Sequence, residues 1–286
     1  MITSWQYTFI LPLIAALTPL ASVTTASADE VWTANNGATS VLRFDLEGNA
    51  ISSFVGATGG PMTVVGTEVW APSPTGSGVV RFSADGTVLG SSPTPSWYYG
   101  LTVVGGQVWT SNNTATAVLR YDFSGNLIGS FAAATGGAMT RVGSEVWVPG
   151  MSGAGVDRYN FSGVYLGRIA AVQPYYALTV VGNEVWTSNN LASAVLRYDF
   201  HGNAVGSFAA ATGGAMTVVQ DEVWVQPLFS TGLDRYSLNG DYLGRMNTIS
   251  TYFALTVVPT PSAGAVAVLA VVVGSCSRGR RAGSRF

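Results

Sequence analysis

The sequence predicts an all-β fold of six consecutive repeats closed into a ring, and three observations predict it. A tryptophan recurs at Trp32, Trp70, Trp109, Trp147, Trp186 and Trp224, at intervals of 38 or 39 residues. An arginine follows each by eleven positions, at Arg43, Arg81, Arg120, Arg158, Arg197 and Arg235, and a glycine trails each arginine by five, from Gly48 to Gly240. Each interval also divides into four short β-prone runs separated by turn chemistry. Markers that stay in phase across the chain set the fold before any single residue does.

The copy around Trp186 shows the elements in order. Met216-Thr217-Val218-Val219 is followed by Glu222-Val223-Trp224-Val225, with two residues between. The same junction elsewhere reads Gly66-Thr67, Gly105-Gly106, Gly143-Ser144 and Gly182-Asn183, and glycine first in a two-residue link favours a I′ or II′ hairpin. The third run is Ala194 to Asp199 and the fourth Ala204 to Phe208. Between them lies Asp199-Phe200-His201-Gly202, with Asp45, Ser83, Asp122, Asn160 and Ser237 opening the counterpart turns. Asp, Asn or Ser at that place accepts a backbone hydrogen bond, and the glycine three later takes a positive φ. Each unit therefore reads as a four-stranded antiparallel meander, with strands a to d from the axis outward.

A lone meander exposes two apolar faces, whereas six stacked radially bury both, which makes the units blades of a β-propeller. Closure is visible in the chain itself. The domain starts on strand b at Asp29-Glu30-Val31-Trp32 and ends on strand a at Ala254-Leu255-Thr256-Val257-Val258, so the C-terminal inner strand completes the N-terminal blade. Pro259 then ends the strand, because it has no N–H for the ladder. A β-solenoid would leave its edges uncapped and would not need this offset. Over residues 29–258 the repeats resemble NHL-type six-bladed propellers, which implies the same closed ring.

Composition suits tightly turned β-structure: 48% of residues are apolar and 10% charged, with 35 glycines, 12 prolines and no lysine. From Asp29 to Val258 nine arginines face fifteen acids, a net charge of about −6 that excludes the basic stripe nucleic acid requires. The single cysteine, Cys276, lies in the tail, so no internal disulfide forms. Residues 1–28 read as a secretory signal: Phe9 to Leu20 is a short apolar run, and Ala26-Ser27-Ala28 has the small-x-small form of a cleavage site, although no Lys or Arg precedes the run.

Residues 259–286 carry a second signal. After Val258-Pro259-Thr260-Pro261 comes an apolar run from Ala263 to Gly274, then Arg278-Gly279-Arg280-Arg281. A dozen apolar residues fall short of the roughly 20 that span a bilayer, so the run suits a transient anchor. The arrangement resembles the PEP-CTERM sorting signal of Gram-negative bacterial surface proteins, with Thr260 standing where the family has glutamate. The resemblance implies a short hydrophobic helix, processing by an exosortase, and a final address at the cell surface, or secreted after cleavage. An ordinary C-terminal anchor is the alternative.

The six tryptophans, each mid-strand between apolar neighbours, are core residues filling the seams between blades. Glu precedes Val-Trp in five copies and Gln107 does so in the other, which suggests a cross-strand pair with the strand-c arginine; stacking of that arginine on tryptophan is the alternative. The d-to-a and b-to-c loops open on one end of a propeller, and that end is the candidate binding face. It collects Asn35, Asn36, Asn112, Asn113, Asn189 and Asn190, alternating with loops such as Pro149-Gly150-Met151-Ser152-Gly153. It also collects Trp97, Tyr98, Tyr99, Tyr175, Tyr176, Tyr252 and Phe253, alternating with glycine pairs. Rings stack on sugar C–H faces and amides bond hydroxyls, so these types together suit an extracellular polysaccharide; envelope proteins are the other partner class. Against that, Asn also suits tight turns and tyrosines beside an inner strand also plug the channel. The near-identity of copies three and five leads to the expectation of three similar sites, a basis for multivalent attachment.

Six-bladed lactonases and related hydrolases hold a divalent metal with carboxylates and amides around the axis, and a metal-assisted hydrolase is the competing expectation. The inner runs here carry Thr, Val, Leu and Met, with Arg141 the single charge, where the other five copies have valine, and Arg141 is counted with the candidate binding face. That charge meets either channel water or an anion. The acids gather instead at strand-b starts and c-to-d turns. His201 lies in such a turn with no nucleophile near it in sequence, so a triad is not expected. These residues therefore suit an exported, non-enzymatic propeller for recognition or scaffolding at the cell envelope or extracellular matrix, with no cofactor and no metal.

Overall fold

The computed structural model describes residues 29–34, 40–56, 60–73, 78–92, 100–111, 116–133, 137–150, 155–170, 177–188, 193–210, 213–227, 231–247 and 254–259. The first blade holds β1 (Glu30–Ala34), β2 (Ser40–Phe44) and β3 (Ala50–Val55); the second holds β4 (Thr63–Val65), β5 (Glu68–Pro72), β6 (Val79–Ser83) and β7 (Val88–Ser92). The third is β8 (Gly100–Val104), β9 (Gln107–Ser111), β10 (Ala117–Tyr121) and β11 (Leu127–Ala132), and the fourth β12 (Thr140–Val142), β13 (Glu145–Pro149), β14 (Val156–Asn160) and β15 (Tyr165–Ile169). The fifth is β16 (Ala177–Val181), β17 (Glu184–Ser188), β18 (Ala194–Asp199) and β19 (Ala204–Ala209), and the sixth β20 (Gly213–Val219), β21 (Glu222–Pro227), β22 (Leu233–Ser237) and β23 (Tyr242–Met246). β24 (Ala254–Val258) then joins the first blade, whose order is β24-β1-β2-β3. Six four-stranded antiparallel sheets make a six-bladed β-propeller, and no helix among the described residues is long and apolar enough to cross a membrane.

The clasp runs the full length of both strands, from Glu30 opposite Val258 to Ala34 opposite Ala254. It lets main-chain hydrogen bonds, rather than a covalent bond, hold the two ends of the ring together.

Six apolar clusters fill six seams, one for each neighbouring pair of blades. Trp32 packs with Met62, Val69 and Phe82 of the second blade, and Trp224 with Val31, Phe44 and Leu255 of the first, which closes the circle. All six tryptophans are at most 1% exposed. In alternate seams a phenylalanine from the outer strand packs edge-on against the tryptophan at 5.0 Å, as Phe54, Phe131 and Phe208 do. The next blade's turn glycine must then approach closely: a Cβ at Gly86, Gly163 or Gly240 would stand 2.7–2.8 Å from those rings, so glycine is required there for space as well as for its positive φ.

The register places each tryptophan directly opposite the repeat's arginine, as Trp32 opposite Arg43 and Trp186 opposite Arg197. The glutamate lies two residues back on the same face, and all three groups meet. Arg43 Nε and Nη2 donate to Glu30 at 2.6 and 2.7 Å, and the Trp32 indole N–H donates to the same carboxylate at 3.1 Å. Four more blades repeat the ion pair, through Arg81–Glu68, Arg158–Glu145, Arg197–Glu184 and Arg235–Glu222. Both sequence alternatives hold at once, because Arg43, Arg81 and Arg197 also lie 5.5–5.7 Å from the ring centroids of their tryptophans. From there the guanidinium reaches the following blade: Arg81 Nη1 donates to the Ser124 carbonyl and Arg197 Nη1 to that of Asn239, both at 3.1 Å. The arginine is therefore a strut across the seam.

Candidate recognition face

Strand direction divides the ring into two ends. Strands a and c run toward the a-to-b links and c-to-d turns, the turn end; strands b and d run back toward the loop end. The turns are built as their sequence implies. Asp45 Oδ1 accepts from the backbone N–H of Glu47 and Asn49, at 3.1 and 2.7 Å, and Gly48 has φ 92°. His201 lies in such a turn, with its side chain 87% exposed.

Of the residues expected to form the face, the asparagine pairs, Trp97 to Tyr99, Tyr175, Tyr176, Tyr252 and Phe253 lie outside the described residues. The described strands that flank them nevertheless end together. In the first blade the last ladder pair is Ala34 opposite Ala254, in the third Ser111 opposite Gly100, and in the fifth Ser188 opposite Ala177. One peptide step beyond each pair, the chain holds Asn35 and Phe253, Asn112 and Tyr99, and Asn189 and Tyr176. In blades one, three and five the chain thus enters an asparagine pair and leaves an aromatic run at the ends of paired strands. In blade six the corresponding pair is Pro227 opposite Gly213.

The base of this end is anchored between blades. Ser111 Oγ donates to the Gly137 carbonyl at 3.1 Å and Ser188 Oγ to that of Gly214 at 3.0 Å, each bond running from an odd blade to the next. Sequence reasoning missed a second set of ion pairs near the same end. Asp157, 4% exposed, accepts from Arg168 Nε and Nη2 at 2.6 and 2.9 Å, and Asp234, 3% exposed, does so from Arg245 at the same distances. The signal was present: Asp-Arg-Tyr recurs at 157–159 and 234–236, with an arginine eleven residues after each aspartate. Burial beside these pairs pushes the Tyr159 and Tyr236 hydroxyls up to about 12.

Arg141 is the one expected face residue among those described, and its side chain goes to the other end. Its Nε donates to the Gly143 carbonyl of the a-to-b link at 3.1 Å, and its guanidinium lies 5.0 Å from the Phe161 ring of the c-to-d turn. The exposed cation is held by a carbonyl and an aromatic face at the turn end, away from the loops. Among the described residues no group of three or more His, Cys, Asp or Glu is arranged to hold a metal ion.

No protein-family model and no curated protein matches the chain. Solved structures share its shape. A protein of unknown function from Bacteroides caccae is 9% identical, with a TM-score of 0.66 over 80% of this chain and 98% of that one. A chain of a nidogen/laminin complex is 8% identical, with a TM-score of 0.65 over 81% and 99%. A streptogramin B lyase is 14% identical, with a TM-score of 0.61 over 77% and 80%. At such identities the likeness is one of fold alone.

Proposed function

We propose that this chain is an exported bacterial surface propeller without catalytic activity, whose loop end recognises an extracellular polysaccharide through three equivalent sites. The observation that carries the proposal is the shared register of blades one, three and five, in which the paired strand ends adjoin an asparagine pair and an aromatic run three times. Sugars are bound by rings against their C–H faces and by amides on their hydroxyls, and three weak sites on one rigid ring gain by avidity. Residues 1–28 serve as the export signal and residues 259–286 as a PEP-CTERM-like tail read by an exosortase. Topology supports that division, since Asp29 and Pro259 flank β1 and β24 at the turn end, and a tail leaving there keeps the loop end free.

The test is a glycan array probed with the full chain and with Tyr176→Ala. Binding that falls at least tenfold in the variant, with thermal stability unchanged, supports recognition at the three sites. No binding by either protein overturns it and leaves a structural spacer.

A second reading is an enzyme, a metal-assisted hydrolase or lactonase of the six-bladed kind, and a streptogramin B lyase is among the proteins that share the fold. The inner strands weigh against it, because Thr, Val, Leu and Met side chains supply neither carboxylate ligands for a hard cation nor a proton shuttle. Stoichiometric calcium binding by calorimetry together with lactone turnover would move the assignment to that class.

A further inference from the structure

The second residue of the outer strand is a large aliphatic in every blade: Ile51, Leu89, Ile128, Leu166, Val205 and Leu243. All six are 46–50% exposed, a uniformity that packing against neighbours does not require. They form a collar at one height around the rim, close to the turn end. The same face of each strand turns polar two residues on, at Ser53, Ser91, Ser130, Arg168, Ser207 and Arg245, and among the described residues only Val55, at the loop end of the first blade, is a large exposed apolar residue beyond that step. At the turns themselves, Phe123 and Leu238 are 42% and 41% exposed in the third and sixth blades. Apolar exposure recurs once per blade at the same height, which gives the turn end of the ring a periodic apolar rim.

What covers the collar follows from where the chain leaves the ring. β24 runs toward the turn end and stops at Val258, and Pro259 lines a small hollow together with Gly66 and Thr67 of the β4–β5 link. The apolar run from Ala263 to Gly274 is thus joined to the ring by only a few residues at the collar's own end. Four residues at most ~3.5 Å each reach about 14 Å, too short to hold the ring far from whatever takes up that run.

We propose that the turn end lies on a lipid surface, with the aliphatic collar at headgroup depth and the loop end facing away. Interfacial elements sit about 5–10 Å into the headgroup and acyl boundary, enough to reach the second residue of each outer strand. The proposal rests on the surface-display reading of the tail given above. The carboxylates of Asp45, Glu47, Asp85, Asp122, Asp199, Asp221 and Asp241 stand at the same end and outnumber the Arg141 guanidinium there, so the surface that fits is a neutral, zwitterionic one rather than an anionic one.

The experiment uses the full chain with Cys276→Ser and one new cysteine, Ile51→Cys in the collar or Val55→Cys at the loop end of the same strand, 80% exposed. Each carries a fluorophore and is mixed with phosphatidylcholine vesicles containing a nitroxide-labelled lipid. The expected result is flotation of both proteins with the vesicles and at least threefold stronger quenching at position 51 than at 55. Flotation with equal, weak quenching at both positions overturns the docking and leaves the display reading standing, with the ring held off the bilayer by its tail. Absence of flotation overturns both. Shielding at position 51 without lipid, with doubled mass in light scattering, also overturns the proposal and assigns the collar to a second copy of the chain.

Discussion

Gln107 and Arg120 occupy, in the third blade, the positions that glutamate and arginine fill in the other five, and they do not pair. Gln107 Oε1 keeps the tryptophan contact, accepting from Trp109 Nε1 at 3.1 Å. Arg120 turns outward instead: its Nε is buried without a partner, and a Cβ at Gly129 on the outer strand would stand 2.8 Å from its Nη2. At the equivalent Gly90, Gly167, Gly206 and Gly244 nothing lies within 4 Å, so the outward pose belongs to this blade. Gln107→Glu is expected to draw the guanidinium back and stabilise the ring by about 0.5–1 kcal/mol, as partly exposed pairs do. Thermal unfolding of the single variants and of Gln107→Glu with Arg120→Gln completes a cycle in which the gain must vanish when the arginine is absent.

The tryptophan beside that pair has a different weight. Trp109 is fully buried and packs with Val118, Ala133, Met139 and Val146 across the seam of the third and fourth blades. Trp109→Ala is expected to cost about 3–5 kcal/mol by chemical denaturation, the range for emptying a large aromatic site. Trp109→Phe should recover most of that loss, because it fills the seam and forfeits only the indole hydrogen bond.

Gln220 stands where the other a-to-b links have glycine. It has φ 56°, and Gly66, Gly105, Gly143 and Gly182 have φ 59–63°. A side chain in the left-handed region costs about 1–2 kcal/mol, while glycine loses part of that advantage through greater freedom in the unfolded chain. Gln220→Gly is expected to gain roughly 0.5–1 kcal/mol, and Gly182→Gln, the reverse change in another blade, to lose a similar amount. A denaturant series on both variants checks the pair of signs.

The ring was legible because its determinants are local and repeated. Trp, Arg and Gly recur in phase, and the offset between Asp29 and Val258 announces the clasp. The register was not legible, since Trp opposite Arg and Glu beside Arg are both compatible with the strand pattern until the ladder is seen. Arg141 misled for a related reason: its position on an inner strand is fixed by the repeat, but the backbone carbonyl of Gly143 and the ring of Phe161 decide where its charge goes. Asp157 and Arg168 escaped because the aspartate adjoins the repeat's own Arg158, whose recurrence in all six copies hides a pair confined to two of them. The face residues stand apart, since loops carry no periodic packing constraint that sequence can expose, and only the ladders ending at Ala34, Ser111 and Ser188 fix where those loops depart.

Four arginine-paired glutamates and two buried tyrosines predict a stability plateau with two edges. The hydrogen-bonded arginine holds the carboxyls of Glu68, Glu145, Glu184 and Glu222 below the ordinary glutamate value of 4.5. A depressed carboxylate stabilises the fold above its unfolded value and loses that contribution as pH falls through its folded one, so the melting temperature should drop below about pH 4.5. Tyr159 and Tyr236 are displaced the other way, from 10.0 to about 12, by burial. Folding favours their neutral form, so their contribution is whole below about pH 10 and is lost as pH rises toward about 12. Glu68→Gln lowers stability near neutrality, and it should also make the acid edge shallower, because one fewer carboxylate must be protonated against its arginine. Tyr159→Phe together with Tyr236→Phe should flatten the alkaline edge while leaving the acid edge alone. Melting temperatures measured from about pH 3 to about pH 11 in the parent and these two variants separate the edges, and an alkaline edge that survives loss of both hydroxyls would assign it elsewhere.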